Sequence, residues 1–438
     1  MTCFLAVISI FIYDVVNLPT TYFKMSPTGF ILGKLGLLYL VKNEDEDGHI
    51  LIVGGSGSGK TSCAIIPSIA SFRGRIFCID IKGELIKKTG KRRPCKRVFS
   101  PGKSNSFSYD VYSLLYKGKN QVEDAKDIAM SLVPKPIDIK DPFWIEGAQN
   151  LLTGAILHFV NEGYSFIDTI CEIQGTPVSK LIHAISESKT VEARYFVNQF
   201  VEMDNKTLIG IYAQLSNRIM LFATSSDIKE VLTKNQRGRN ITPSDLDNGF
   251  DIYSVIPEDK LEQYEPLLSL MIVQQIRHLE RRSEDSRVPI LFIIDEFPRL
   301  GKIEVIINAL ATLRSKNISF CLVIQSLAQL DTIYGNSVRK VIVDNCAYKL
   351  IYKATDPNTQ EEISRMIGTK AQVRNSRNIT YGGDDSSIKS TGVSEMEVDK
   401  RIVKPEELAV LEDNLILLTP KGYCKAKKTP YYRNKLFS

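Results

Sequence analysis

Eight consecutive residues, Gly54-Gly55-Ser56-Gly57-Ser58-Gly59-Lys60-Thr61, have the spacing G-x-x-x-x-G-K-[ST]. Glycines at these places let the backbone turn its N–H groups inward around phosphate oxygens. Lys60 then puts a cation on the β and γ phosphates, and the Thr61 hydroxyl is suited to Mg2+. A helix starting near Lys60 would add the positive end of its dipole. The ligand implied is ATP with Mg2+. A second constellation is the apolar run Pro289-Ile-Leu-Phe-Ile-Ile that ends in Asp295 and Glu296. Asp295 is placed to hold the metal through its water shell, and Glu296 to polarise an attacking water. The plainer alternative is a strand followed by a solvated acidic turn. A third run, ISFCLVI at residues 318–324, ends in Gln325. A polar residue at the tip of a core strand is placed to sense the γ phosphate.

These side chains need strands whose ends meet. HILIV at residues 49–53 leads straight into the glycines, as a buried strand feeding a tight loop does. Further strands are expected at 75–80, 96–99, 250–255, 289–295, 318–324, 347–352 and 414–418. Most are near-continuous apolar runs, the mark of strands covered on both faces of a mostly parallel α/β sheet. Helical periodicity lies between several of them, as at 261–282 and 303–316. Pro67 falls two turns into the helix after Lys60 and should kink or shorten it, because it removes a helix hydrogen bond.

Residues 121–234 show helical periodicity and no convincing strand, with the clearest helices at 144–160 and 206–222. An interval this long exceeds one crossover connection, so it reads as an all-α insertion; the alternative is a set of crossover helices. The division expected is an apolar arm over residues 1–28, an α/β nucleotide-binding domain over 29–120 and 235–438, and the all-α insertion over 121–234. Residues 371–400, rich in Ser, Asn, Gly and Asp, read as a long mobile loop.

Composition narrows the class. The 438 residues are 43% hydrophobic and 24% charged, enough to bury a large core and inconsistent with wholesale disorder or many membrane spans. The net charge of +6 permits an anionic partner without demanding one. The eight cysteines form no CxxC pair and the four histidines do not cluster, which argues against a zinc site or a disulfide framework. Cys78 and Cys321 lie in apolar runs and read as reduced core residues of a cytosolic protein. The apolar stretch at residues 4–13 is interrupted by Asp14 and falls short of the roughly 20 residues that span a bilayer. It reads as a buried arm, with the stub of a membrane anchor as the alternative.

Taken with FCIDIKGE (77–84), DPFW (141–144), ILFIIDEFPRLG (290–301) and VIQSLAQLDTIYG (323–335), the phosphate loop resembles that of type IV secretion system coupling proteins. These are the TraG/TraD-type conjugative DNA-transfer ATPases. The similarity runs over nearly the whole chain, and DEFPRLG, IQSLAQLDTIYG and DIKGE are its more specific parts. It implies a RecA-like P-loop motor domain with an inserted all-α domain, assembled as a homo-hexamer at the cytoplasmic face of the cell membrane. Its implied work is to bring a relaxase–DNA complex to the secretion channel and to drive transfer with ATP. Arg314 matches the place of the family's trans-acting arginine; otherwise it is a solvated residue at a helix end. Asp80 and Lys82 match the second-strand motif near the nucleotide; otherwise they are a helix cap and an exposed lysine. Family members usually carry transmembrane helices ahead of the motor, and here only the short apolar arm precedes it.

Two basic segments could meet phosphates. KKTGKRRPCKR at 87–97 holds seven basic residues in eleven, and residues 421–438 hold six basic residues, no acidic one, and Tyr423, Tyr431 and Tyr432. Either could also be plain solvated surface or a frayed tail. No base-reading motif is visible, so DNA contact should be sequence-tolerant. Besides DNA export, two other functions fit: a receptor selecting protein effectors, and a non-exporting DNA translocase.

Overall fold

A computed structural model describes residues 18, 20–117, 120–136, 141–233, 238–283, 288–381 and 388–437. Most of the expected apolar arm therefore lies outside the described residues. Among them, no helix is long and apolar enough to cross a membrane.

The frame is a 12-stranded sheet. In chain order its strands are β1 (Phe23–Lys24), β2 (Phe30–Leu35), β3 (Leu38–Lys42), β4 (Ile50–Gly54), β5 (Arg75–Asp80) and β6 (Lys96–Phe99). After the short pair β7 (Ser108–Tyr109) and β8 (Asn240–Ile241), which form their own sheet, come β9 (Asp251–Val255), β10 (Ile290–Ile294), β11 (Ile318–Ile324) and β12 (Tyr348–Lys353). A separate hairpin, β13 (Thr369–Tyr381) with β14 (Ile388–Arg401), precedes β15 (Asn414–Thr419) and β16 (Gly422–Lys427). The order across the large sheet is β1-β3-β2-β16-β15-β12-β4-β11-β10-β5-β9-β6. The run from β12 to β6 is parallel. The remainder is an antiparallel extension on one flank.

The expected core strands lie where the apolar runs put them, within a residue or two. Their side chains alternate between two covered faces, as a pleated strand requires. Leu51 and Val53 of β4 enter one cluster with Phe77, Phe292 and Phe320, while Ile50 and Ile52 enter another with Cys78 and Cys321. Phe292 stands between Phe77 and Phe320 on the neighbouring strands, with ring centroids 5.0 and 4.7 Å away. This ladder ties β5, β10 and β11 together, so their ends are held in fixed register.

Within the described residues, the chain from Gln121 to Leu232 is helical. Its longer helices are Gln121–Leu132, Phe143–Asn161 and Asn205–Thr224. Side chains that compete for backbone N–H groups start the later ones: Ser165 and Asp168 form a reciprocal cap, and Asp204 accepts from Thr207 N at 3.0 Å. These helices share one continuous buried cluster with a face of the sheet.

Three expectations change. Residues 371–381 and 388–400 are strands, not a loop: β13 and β14 pair in antiparallel register from Thr369↔Arg401 to Tyr381↔Ile388, and residues 382–387 lie outside the described residues. A backbone ladder needs no buried face, and Val373 and Met396 are indeed exposed, so a composition read for burial misses it. The C-terminal tail is not frayed. β16 pairs with β15 and β2, and Phe437 is buried edge-on against Tyr39. Residues of the expected arm also join the sheet, because Phe23 and Lys24 pair with Leu40 and Tyr39.

Candidate active site

The parallel register brings four strand ends together. Ile324 of β11 pairs with Val53 of β4, and Ile294 of β10 pairs with both Leu322 and Ile79. One step further along, at the carboxyl edge, stand Gly54, Gln325, Asp295 and Asp80. In open parallel sheets this is the edge where ligands bind.

The glycine loop arches over it. Gly57 and Gly59 have φ of 71° and 94°, a left-handed backbone that favours glycine. Gly55 N–H donates to Lys353 O at 2.8 Å and fixes the loop's first turn to β12. Gly55, Ser56, Gly57 and Ser58 make the bend, and Ser58 Oγ is buried without a hydrogen-bond partner among the described residues. Lys60 Nζ donates to the carbonyls of Gly54 and Gly55, the latter at 3.1 Å. The ammonium therefore lies inside the arch. Burial pulls the Lys60 pKa below its usual value, and the carboxylates of Asp295 and Glu296 pull it back up.

Thr61 Oγ1 donates to Asp295 Oδ2 at 3.4 Å. A hydroxyl beside a carboxylate at the mouth of a glycine arch is an oxygen donor pair fitting a hard divalent cation. The Asp295 pKa is pushed up to about 6, first by burial and then by the Glu296 charge, with Lys60 opposing. Asp80 lies on the adjacent strand end and adds to that repulsion. Its own bonds are structural: Asp80 Oδ2 accepts from Ile86 N at 2.9 Å, capping the helix Glu84–Thr89. The capping role weighed for Asp80 is thus what the contacts show, at a position next to the site.

Glu296 has φ 54° and ψ 46°, strained for a residue with a side chain. Its N–H donates to Asp295 Oδ1 at 3.1 Å. Its carboxylate accepts from Arg299 Nη1 at 3.2 Å, and the same nitrogen donates to Glu258 Oε1 at 2.7 Å. Lys82 lies 4.0 Å from the other oxygen of Glu258. Arg299 stands inside the DEFPRLG run, yet no role was read for it from sequence. Gln325 N–H donates to Gln329 Oε1 at 3.0 Å, and Leu327 N–H to the buried Thr359 Oγ1 at 3.1 Å. Those two bonds hold the turn that presents Gln325.

Arg314 is not brought to this edge. It sits in the short turn Arg314–Lys316 just before β11 begins, at the amino edge, exposed and with no ion pair among the described residues. There its charge helps keep the buried His49 neutral, a ring whose pKa burial lowers to about 4.

The basic segments are rearranged too. Arg93 is buried on Asp251 in a two-pronged ion pair at 2.7 Å, and Arg97 pairs with Asp245 at 3.0 Å over the Phe250 ring. Both hold the fold. Lys87, Lys88, Lys91 and Arg92 stay exposed. Lys88 lies over the Tyr431 ring at 5.3 Å and Arg92 donates to Lys435 O at 3.4 Å, so the two segments form one surface.

Comparison with known proteins agrees with this geometry. Protein VirD4 of Agrobacterium fabrum is 24% identical over 414 residues, covering 91% of this chain and 60% of its own length. The conjugal transfer protein TraG of Escherichia coli is 24% identical over 415 residues, covering 84% and 62%. The chain thus spans about 60% of the length of the curated relatives it matches. Among solved structures, the plasmid coupling protein TrwB in complex with ADP and Mg2+ superposes with a TM-score of 0.72 at 17% identity, covering 94% of this chain and 91% of that one. That likeness carries the RecA-like fold: a mostly parallel sheet with a helical domain. The family model described as type IV secretory system conjugative DNA transfer matches residues 16–438, and the chain belongs to that family.

Proposed function

We propose that this chain is an ATP-hydrolysing coupling protein, which brings relaxase-bound DNA to a type IV secretion channel and drives its transfer. The observation that carries the ATPase reading is the convergence of Lys60, Thr61 and Asp295 at adjacent strand ends, with Thr61 Oγ1 3.4 Å from Asp295 Oδ2. Gly54, Gly55, Ser56, Gly57, Ser58 and Gly59 would cradle the phosphates, with Lys60 neutralising them. Thr61 and Asp295 would hold Mg2+, which supplies charge compensation on the phosphate oxygens when bound. Glu296 would orient and deprotonate the attacking water, and Gln325 would report whether the γ phosphate is present. Asp80, on the adjacent strand end, would face the bound nucleotide from beside the cap it makes.

The amino-edge position of Arg314 supports a reading in which it serves a neighbouring copy, as the ring hexamer of the family would arrange. The interval 121–234 would be an all-α insertion in a discontinuous motor domain. The joined surface of Lys87, Lys88, Lys91, Arg92, Arg433 and Lys435 would meet DNA phosphates, at the cytoplasmic face of the cell membrane. The test is ATP turnover with and without DNA. Stimulation by DNA of any sequence, lost between about 50 and 200 mM salt, is expected. Salt-insensitive turnover that no DNA stimulates would favour a receptor for protein effectors.

A further inference from the structure

We propose that Thr429, in the C-terminal segment, is a positioning residue for the phosphate loop: its hydroxyl replaces a hydrogen bond that Pro67 deletes from the helix carrying Lys60 and Thr61. The proposal rests on reading this loop as the ATP site.

The helix after the loop is irregular at its start. Residues Thr61–Ile65 form a π turn, closed by Ile66 N–H on Thr61 O, and the α-helix Ile66–Ser71 follows with Pro67 near its beginning. Proline has no N–H, so the carbonyl four residues back, that of Cys63, loses its usual donor. Cys63 is buried, and a buried carbonyl needs a partner. The partner comes from 366 residues away: Thr429 Oγ1 donates to Cys63 O at 2.8 Å, and Thr429 is itself buried.

Both ends of this link are anchored. On the loop side, Cys63 N–H donates to Gly59 O at 2.8 Å, and a Cβ built on Gly59 would come within 3.2 Å of Cys63 Sγ. Cys63 therefore sits directly beneath the last loop glycine, and its backbone position sets that of Lys60 and Thr61. On the tail side, Lys428 N–H donates to Asp413 O and its Nζ to Leu411 O, both at 2.9 Å, with the Tyr352 ring beneath it at 5.4 Å. Tyr352 in turn abuts Gly54, where a Cβ would meet it at 2.9 Å. The tail thus grips the loop from both sides, through Cys63 and through Tyr352.

The variants Thr429→Val, Thr429→Ser and Thr429→Val with Pro67→Ala separate this from plain packing. Valine keeps the shape and removes the hydroxyl. Alanine at position 67 supplies an N–H that can reach Cys63 O. Turnover in Thr429→Val should fall on the order of tenfold through kcat, as misplaced catalytic groups cause. Thr429→Ser should stay near wild type, and the double variant should recover most of the loss. Hydrogen exchange at the amides of residues 61–66 should quicken in Thr429→Val and slow again in the double variant. Wild-type kcat in Thr429→Val, or a double variant no better than Thr429→Val, would overturn the proposal. Faster exchange with unchanged kcat would leave Thr429 a structural residue only, which also overturns it. A wild-type chain that neither binds nor hydrolyses ATP would instead sink the reading of the site, while the exchange data would still report whether the Thr429–Cys63 bond holds the helix.

Discussion

At the carboxyl edge of the parallel strands, Lys60, Thr61, Asp295, Glu296 and Gln325 crowd together, and burial shifts the pKa values of Lys60 and Asp295. At the amino edge of the same strands, Arg314 stands exposed, with no ion pair among the described residues, while the histidine nearby is buried and neutral. The two edges are a strand length apart, about 16 Å for the five residues of β4 at ~3.3 Å each. An arginine side chain does not bridge that. Under the proposed function, the carboxyl edge would bind a nucleotide and prime a water within one chain. A cation arriving on the γ phosphate from the amino edge has to belong to another copy. On the proposed reading, each sheet would carry half of two sites.

The largest effect is expected at the amino edge. Arg314→Ala should keep nucleotide affinity and lose about 10³-fold or more in turnover, the scale of a trans-acting arginine. Activity per chain should rise with protein concentration in the wild type. Mixing Arg314→Ala with Lys60→Ala chains, each inactive alone, should restore some hydrolysis, because the arginine of one meets the phosphate site of the other. In a covalently linked dimer, only one order of the two variants should regain it. An Arg314→Ala chain with wild-type turnover would erase the distinction between the edges.

Next in size is Glu296→Gln, expected to bind ATP and lose about 10²–10⁴-fold in turnover, since the amide keeps the shape and cannot take a proton. The check is filter binding of radiolabelled ATP alongside phosphate release. Failure to bind would make Glu296 a metal or structural residue. Its strained backbone fits a residue held for function, because strain of that kind persists only where the surroundings impose it.

The carboxyl edge was far more legible in the sequence than the amino edge, for physical reasons. Strands covered on both faces must be apolar throughout, so β4, β5, β10 and β11 announce themselves, and with them the residues at their ends. The positive-φ glycines of the loop leave an equally local mark. β2, β3 and β16 carry lysines and glycines that break their apolar runs; β2 pairs locally with β3 and β16 with β15, and the pairing that adds β2 and β3 to the sheet, Lys427↔Lys34, spans most of the chain. Arg93 looked like one of seven exposed cations until its contact with Asp251, 158 residues away, made it a core residue. Asp80 can serve as a site residue or as a cap, and the bond from Ile86 N, which no local pattern reveals, engages its Oδ2 in the cap. The Thr429–Cys63 link has no local signature at all. Pro67 was the one visible clue, and it marked the missing bond without naming its replacement.

A smaller effect concerns pH. Asp295 keeps its proton up to about pH 6 in the folded chain, against 3.8 for an ordinary aspartate. Between those values the folded state holds more protons than the unfolded one, so stability falls as pH rises through the window. Above pH 6 the ionised carboxylate is a cost to the fold, and under the proposed function it is the form that would hold Mg2+. Asp295→Asn should therefore raise the melting temperature of nucleotide-free protein at pH 7.5, with the gain shrinking towards pH 5. It should also lose the Mg2+-dependent part of ADP binding. In the wild type, that part should weaken below about pH 6. A melting temperature unchanged at pH 7.5 would mean that Asp295 is not paying a burial cost.

The smallest effect is expected at Arg299, which lies on the same edge as the carboxylate it touches. Its bonds to Glu296 and Glu258 are partly exposed to solvent, so they add little to stability. What Arg299 does is fix where the Glu296 carboxylate points: Glu296 is already turned by its backbone, and Arg299 holds Oε2 from the outer side. Arg299→Ala should leave ATP affinity and KM unchanged and lower kcat about three- to tenfold, because the base samples other rotamers and spends less time aimed at the water. Glu258→Gln weakens a competitor for the same Arg299 nitrogen and should leave kcat at or near the wild-type value. The sign of the Arg299 result is informative. A rise in kcat would mean that the arginine restrains Glu296 until something displaces it, and DNA would be the first ligand to try. A fall as deep as that of Arg314→Ala would mean that Arg299 contacts the phosphates itself, so that the carboxyl edge supplies its own cation and the second copy is not needed for the chemistry.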